Sequence, residues 1–357
     1  MTRADDRTRT GRTMTSLTKD PSPDSGDAMS GHDTGGTPPD GQGRVLGTDG
    51  GKRLGDVIFK NLAVGSGMLV TAVIFLIAAF LVAQAVPSLL DNKENFFTYQ
   101  GQWVTAGGDL RFGIPRLLYT TVFVSVIALL IAMPVALGIA IYLTEYAPKR
   151  LVGPITYTVD LLAAVPSIVY GLWGILVLEP VLQPINEWLV GHLTWLFLFQ
   201  EPEQATNMDT GATLLTAGIV LAVMILPIIT AVTREVFAQT PVGHREAALA
   251  LGATKWEVVR VAVLPFGKSG YISGGMLGLG RALGETMALM LIISSAGPIN
   301  FNLMESGETF ASKIALNAAE FDSPAKTGAY ISAGLTLFVL TFIVNAAARA
   351  VVSGKAN

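Results

Sequence analysis

Two opposite charges lie close together inside an apolar, glycine-rich part of the sequence. Between Gly270 and Met290 the charged residues are Arg281 and Glu285, four positions apart, and this spacing predicts that they share one face of a helix. A charged side chain inside a membrane costs at least about 2.5–3.5 kcal/mol, so such residues usually face a cavity or each other. The planar fork of an arginine suits phosphate or carboxylate oxygens. The chemistry predicted for the pair is therefore passage of an anion, with a purely structural ion pair as the alternative.

The segment just before this stretch is polar and amphipathic. Its residues 244–251 are mostly strong helix formers, and this first helix should end at Gly252. Thr254 and Glu257 have the spacing of a capping box, so a second helix should begin there and end near Pro265. Two short helices hinged at a glycine predict a protruding elbow, which we call the knuckle (residues 240–265). An ordinary pair of surface helices is the alternative.

The composition is that of a membrane protein. Of 357 residues, 51% are hydrophobic and 14% are charged, which is too apolar for an ordinary soluble domain. Cysteine is absent and there are three histidines, so disulfides, thiolate chemistry and a metal site are not expected. The sequence has no G-x-x-x-x-G-K-[ST] loop, so the chain is not expected to hydrolyse nucleotide or to hold a cofactor. Nucleic acid is not among the predicted partners.

The sequence predicts a short tail followed by one membrane domain. Residues 1–52 are rich in Gly, Asp, Thr, Ser and Pro and have no apolar run, which predicts a disordered cytoplasmic tail. Residues 53–357 contain six segments long enough to cross about 30 Å of hydrocarbon as helices. The predicted spans are Leu62–Val86, Leu117–Leu143, Ile155–Leu178, Thr213–Val232, Ile272–Ser294 and Ala329–Ala347. The predicted fold class is therefore an all-α integral membrane protein.

The distribution of lysine and arginine predicts the orientation in the membrane. With a cytoplasmic N-terminus, the loops on the inner side carry most of these residues, including those of the knuckle, whereas Glu179–Gly211 carries none. Both termini and the knuckle are therefore expected on the cytoplasmic side of the cell membrane. The apolar run Asn186–Phe199 has 14 residues, which is short for a span and predicts an interfacial or re-entrant helix.

Glycines recur at helical spacing in the fifth predicted span. Gly270, Gly274 and Gly278 form one row, and Gly280 and Gly284 form another. Small residues four positions apart let two helices approach closely. Both rows therefore predict tight packing of this span against another helix.

A spaced set of residues in the knuckle resembles the EAA loop of ATP-binding-cassette importer permeases. The set is Glu246, Ala247, Ala248, Gly252, Leu264 and Pro265. One position departs from the pattern, since Ala262 stands where the loop usually has isoleucine. The resemblance implies a type I importer permease of six transmembrane helices, in which these residues form a cytoplasmic coupling helix that docks on an ATPase.

A narrower resemblance covers the chain from about Gly55 to its C-terminus. Leu264–Met290, Phe112–Pro148 and Val165–Gly174 resemble spans five, two and three of phosphate-specific importer permeases. The sequence from Arg281 to Met287 is closer to that of the PstC type of subunit than to that of the PstA type. Carried over by position, Arg281 and Glu285 match the charged pair that the family is thought to need for phosphate passage.

The resemblance also implies a set of partners in a membrane complex. They are a second permease subunit (PstA type), two copies of a cytoplasmic ATPase that binds the ATP (PstB type), an extracytoplasmic phosphate-binding protein (PstS type) and membrane lipids. A permease for molybdate, sulfate or another oxyanion is the nearest rival. A secondary transporter or channel without an ATPase is the second alternative, but it leaves the knuckle without a role. The sequence leaves open whether the pore forms with a paralogue or with a second copy of the chain.

Overall fold

The computed structural model describes residues 54–105, 109–203, 211–293 and 297–353. Within these ranges the chain is helical, and its one β-type pairing is an isolated bridge between Val104 and Arg111. The predicted all-α class is therefore confirmed. The predicted tail, residues 1–52, lies outside the described residues.

The described ranges contain twelve α-helices. In chain order they are α1 (Leu54–Leu90), α2 (Pro115–Ile141), α3 (Lys149–Ala163), α4 (Ser167–Trp173), α5 (Glu179–Leu193), α6 (Leu214–Ala238), α7 (Val242–Ala250), α8 (Lys255–Val258), α9 (Leu264–Leu283), α10 (Met287–Ile292), α11 (Phe310–Leu316) and α12 (Pro324–Ser353). Wider π-helical turns follow α2, α4 and α8, at Tyr142–Tyr146, Gly174–Leu178 and Val259–Val263.

Five helical segments of the described residues are long and apolar enough to cross a membrane. They are Val57–Leu90, Pro115–Tyr146, Ser167–Leu193, Leu214–Ala238 and Pro324–Ala350. The first, second, fourth and last of these contain the corresponding predicted spans or most of them. The predicted third and fifth spans differ from the structure.

The third span lies further along the chain than predicted. The expected span Ile155–Leu178 is broken before Pro166, because the residue preceding a proline is disfavoured in the helical region. Its first half belongs to α3, a separate amphipathic helix. The apolar segment runs instead from Ser167 to Leu193 through the π turn after α4. The first half of the predicted interfacial or re-entrant helix at Asn186–Phe199 is the end of this segment and not a helix of its own.

The fifth span is not one continuous helix. The expected segment Ile272–Ser294 is interrupted after Leu283, where α9 ends, and α10 begins at Met287. With its glycines, Lys268 and Arg281, α9 is less apolar than the five segments above, although its 20 residues extend over about 30 Å.

The second knuckle helix also continues past its predicted end. Instead of ending near Pro265, it passes through the π turn Val259–Val263 directly into α9. Pro265 then lies in the first turn of α9, where a missing N–H is tolerated. The wider turn before it accommodates the proline without a break, so the knuckle and α9 form one continuous helical path.

Helix α6 forms the centre of the described bundle. The main apolar cluster contains residues of α2, α6, α9 and α10, and Leu221, Ile225 and Ile229 of α6 are fully enclosed in it. Burying a side chain of this size contributes about 1.5–3 kcal/mol. Helix α6 therefore packs against both α2 and α9, and so positions both the knuckle and Arg281.

One glycine row of α9 lies directly against α6. A Cβ added to Gly270 would lie 2.6 Å from Cβ of Val236, and one added to Gly278 would lie 2.9 Å from Cδ1 of Ile229. Gly274 is also close, with the carbonyl oxygen of Ile229 at 3.2 Å from the added atom. This row allows the close approach of α9 to α6.

The second glycine row has no such contact. A Cβ added to Gly280 would meet nothing within 4 Å among the described residues, and one added to Gly284 would meet only the carbonyl oxygens of Gly280 and Arg281. Within the described residues this row therefore packs against no neighbouring helix, and its packing against a helix of another chain stays a prediction. Gly280 and Gly284 lie on an open side of the chain near Arg281.

Two alanine substitutions on α9 test this difference between the rows. Gly270→Ala should destabilise the chain by about 1–3 kcal/mol, because Cβ of Val236 is bound to backbone and cannot move away. Gly280→Ala should leave stability unchanged or slightly raised, since it fills open space and removes a flexible helix residue. Thermal unfolding of the purified chain in detergent measures both. Equal effects of the two variants would contradict the close packing of the first row against α6.

Candidate translocation and coupling sites

Arg281 and Glu285 lie on opposite sides of a helix end. Arg281 is in the last turn of α9, whereas Glu285 follows the helix and is only 7% exposed. Oε1 of Glu285 accepts a hydrogen bond from the backbone N–H of Ala288 at 3.1 Å, so the carboxylate caps α10. The two side chains form none of the ion pairs found in the described residues. The prediction of a shared helical face is wrong, because Gly284 ends α9 between them.

The separation gives the two charges different chemical roles. Glu285 satisfies a backbone donor at a helix start, where a negative charge is favourable. Arg281 is exposed in the isolated chain and has no ion pair among the described residues, while Tyr170 is close enough to interact with it electrostatically. The Arg281 guanidinium has no carboxylate partner among the described residues. An arginine at membrane depth faces water or a partner rather than lipid.

The turn between the two knuckle helices has the local structure that its sequence predicts. Gly252 adopts a positive φ of 81° after α7, which confirms the predicted helix stop. The capping box is also confirmed: Oε2 of Glu257 accepts from the Thr254 amide at 2.7 Å, and Thr254 Oγ1 accepts in return from the Glu257 amide. The hydrogen bond from the Thr254 amide has the largest effect on the pKa of Glu257 and lowers it. The hydrogen bond from the Thr254 hydroxyl lowers it further. The box is therefore intact at neutral pH.

The knuckle exposes apolar side chains to solvent. Leu251, next to the hinge glycine, is 90% exposed, and Val242, Leu249 and Trp256 are also largely exposed. Glu246 and Ala247 are exposed on the same short helix, with Ala248 half-buried. Several exposed apolar side chains on neighbouring short helices are typical of a protein-binding surface. Leu251 was not predicted as a site residue, although a leucine just before a hinge glycine is an available signal.

The knuckle is held to the ends of α2 and α6. Nη2 of Arg245 lies 3.0 Å from Oε1 of Glu145, at the end of α2, and donates to the carbonyl oxygen of Phe237 at 2.8 Å. An apolar cluster continues this contact, with Val259 and Val263 packed against Phe237 and Ile141, and Leu264 at its edge. The pairing of Arg245 with Glu145 was not predicted from the sequence, because the two residues are a hundred positions apart.

This ion pair should stiffen the knuckle. Glu145→Gln leaves Arg245 largely buried without its carboxylate, and we expect a loss of about 1–2 kcal/mol after allowance for partial solvent screening. Amide hydrogen exchange in residues 242–250 should become faster. The matched control is Glu235→Gln, at an exposed glutamate of α6 that bonds only to Gln239. Unchanged exchange in Glu145→Gln would mean that the apolar cluster alone holds the knuckle.

A bundle of apolar helices, an anchored and exposed knuckle, and an arginine at a helix break with no ion pair among the described residues define a multi-pass membrane permease. Residues 132–356 match the profile of the family "Binding-protein-dependent transport system inner membrane component", and the chain belongs to this family. Its role is that of a non-enzymatic permease component within a transporter complex of several subunits.

Two mycobacterial proteins are similar to nearly the whole chain. The phosphate transport system permease protein PstC 2 of Mycobacterium bovis is 55% identical over 306 residues, which cover 85% of this chain and 94% of that protein. The phosphate transport system permease protein PstC of Mycobacterium leprae is 55% identical over 303 residues, with the same coverage. These similarities confirm the predicted resemblance to PstC-type permeases.

A solved structure supports the fold independently. It is the crystal structure of a bacterial ABC transporter involved in the import of the acidic polysaccharide alginate, and its matched chain is 16% identical, with a TM-score of 0.52. The match covers 85% of this chain and 100% of that chain. At this identity the likeness concerns the fold alone, and it agrees with the predicted importer-permease class.

Proposed function

We propose that the chain is a phosphate-conducting permease subunit of an ATP-driven importer and forms half of its pore. The observation that carries the proposal is the unpaired guanidinium of Arg281, held at the end of α9 beside an open glycine face. Its planar fork suits two oxygens of a phosphate. The names of the relatives at 55% identity support phosphate as the anion.

In this proposal Arg281 binds the anion as it passes, and Glu285 stabilises the helix break next to Arg281. By capping α10, Glu285 stabilises the break in the helix that leaves Arg281 at the edge of the chain. Gly280 and Gly284 have no side chain to fill the space on this side. They therefore line the path instead of packing against a helix, and the second permease subunit (PstA type) or a second copy of this chain closes it.

The knuckle couples the pore to ATP. Its exposed face around Glu246 and Leu251 docks on a cytoplasmic ATPase (PstB type), present in two copies, which binds the nucleotide that this chain does not bind. From Leu264 to Arg281, α9 is an uninterrupted helix of about 26 Å. Movement of the knuckle is thus passed to Arg281 through one rigid element. ATP and a loaded phosphate-binding protein (PstS type) must each favour one of two states by several kcal/mol.

The orientation follows from the charge distribution. Lysine and arginine concentrate in the knuckle and in the segments on its side of the bundle, while Glu179–Gly211 has none. Both termini and the knuckle therefore lie in the cytoplasm, and the chain lies in the cell membrane. This places the knuckle on the side where ATP is available.

The test is purification of the complex from native membranes, identification of its subunits and reconstitution into liposomes with the binding protein. We expect ATP-dependent uptake of radiolabelled phosphate that an excess of sulfate or molybdate does not displace. Efficient competition by either anion would identify a permease for another oxyanion. Uptake that needs no ATP would identify a secondary transporter.

A further inference from the structure

A polar cavity lies at the opposite end of α2 from the knuckle. Its volume is about 200 Å³, and it is enclosed by the loop before α2, the first turns of α2 and the start of α11. Tyr99, Trp103, Arg116, Thr120, Glu308 and Lys313 are among its lining residues. None of them belongs to the knuckle or to the surroundings of Arg281.

The charges around this cavity do not balance. Nζ of Lys313 pairs with Glu308 at 3.0 Å, and the two side chains are only 15% and 10% exposed. The Arg116 side chain has no ion pair or hydrogen bond among the described residues, and its Nε is buried without a partner. One positive charge is therefore left over. A partly buried cation without a counter-ion is unfavourable, so the cavity as it stands favours entry of an anion.

The start of α2 adds to this positive potential. Its N-cap residue, Ile114, provides no side-chain hydrogen bond, and the first turn contains no acidic residue. Arg116 and Leu117 of that turn line the cavity. The positive end of a helix of 27 residues therefore lies at the cavity wall without compensation.

We propose that this cavity binds a phosphate group, as a site separate from Arg281. The Arg116 fork and the Lys313 ammonium supply the charged donors, and Glu308 limits the affinity so that the anion can leave. A volume of about 200 Å³ exceeds that of several waters and admits a tetrahedral oxyanion. The choice of phosphate rests on the proposed function, whereas the charge of the cavity requires only an anion.

The phosphate group has two possible sources, free phosphate and a lipid headgroup. An apolar groove runs along the same turns of α2 and is lined by Pro115, Leu118 and Val122. The cavity and the groove share no lining residue, and a phospholipid on this surface would bring the same phosphate chemistry as free phosphate. The experiment therefore has one arm for each source.

The first arm measures binding of radiolabelled inorganic phosphate to the full-length chain by equilibrium dialysis, in detergent free of phospholipid. Arg116→Gln should weaken binding at least tenfold, and Arg116→Lys should weaken it less, because lysine keeps the charge but loses the fork. Glu308→Gln should tighten binding several-fold, since it releases Lys313, and a misfolded variant would not bind more tightly. The matched control is Arg111→Gln, at an arginine that is 47% exposed and outside the cavity.

The same measurements in an Arg281→Gln background separate this site from the proposed path. The Arg116-dependent binding should persist there, so a failure of the Arg281 assignment leaves this result unaffected. The second arm quantifies phospholipid retained by the chain after purification, which Arg116→Gln should lower if the source is a lipid. Binding and lipid content that are both unchanged in Arg116→Gln would overturn the proposal.

Discussion

Replacing Arg281 by glutamine should lower phosphate uptake by assembled complexes about 100-fold. A bidentate, charge-assisted contact to phosphate oxygens contributes up to about 3 kcal/mol, and each 1.4 kcal/mol is a factor of ten. The side chain is exposed in the isolated chain and leaves no ionic partner behind among the described residues. The variant should therefore fold and assemble normally. Uptake into proteoliposomes, measured together with the subunit content of the complex, tests this.

Two further substitutions on α9 show whether charge or geometry matters. Arg281→Lys keeps the charge and loses the planar fork, so uptake should lie between that of wild type and that of Arg281→Gln. Lys268→Gln, at an exposed lysine near the other end of the same helix, should transport at nearly the wild-type rate. Wild-type uptake by Arg281→Gln would remove this residue from the path.

Glu285 should matter less than Arg281. In Glu285→Gln the amide oxygen can still accept the hydrogen bond from Ala288, so the start of α10 is kept. The remaining positive charge still suits an anion. The double variant, with glutamine at both positions, should be as inactive as Arg281→Gln alone. A double variant that transports normally would remove both residues from the path.

Features set by residues close in the chain could be predicted from the sequence. The capping box at Thr254 and Glu257 depends on two side chains three positions apart, and the stop at Gly252 depends on one glycine. Four of the six predicted spans follow from length and composition for the same reason. Where a feature depends on contacts between distant segments, the prediction was incomplete.

The prolines illustrate this limit. Pro134 and Pro227 lie inside α2 and α6, whereas Pro166 lies at the break between α3 and α4. All three fall in apolar runs of similar length, so the local sequence does not distinguish them. Packing decides, because neighbouring helices can stabilise a proline inside a span.

The candidate sites also divide into features set by residues close in the chain and features set by distant residues. The spacing of Arg281 and Glu285 predicted one helical face, but the helix end at Gly284 turns their side chains to different surroundings. The coupling role of the residues in the EAA-like loop comes from their resemblance to a family pattern and stays a prediction. The ion pair between Arg245 and Glu145, and the cavity beside Arg116, join residues that are distant in sequence. No pattern within a single helix could indicate them.

Stiffening the hinge of the knuckle should separate ATP hydrolysis from transport. Gly252→Val places a β-branched residue at a φ of 81°, which costs about 1–2 kcal/mol or more and changes the angle between α7 and α8. The complex should assemble, yet phosphate carried per ATP hydrolysed should fall at least tenfold. Gly243→Val is the matched control, because a Cβ at either glycine meets nothing within 4 Å and only Gly252 has a positive φ.

The exposed leucine beside this hinge gives the most direct test of docking. Leu251 is 90% exposed, so Leu251→Asp removes almost no contact within the chain and should leave its thermal stability unchanged. If the side chain enters an apolar pocket on the ATPase, burying a charge there is unfavourable by several kcal/mol. Stable association with the ATPase and uptake should then both be lost. Wild-type association and uptake in Leu251→Asp would exclude this face of the knuckle as the docking surface.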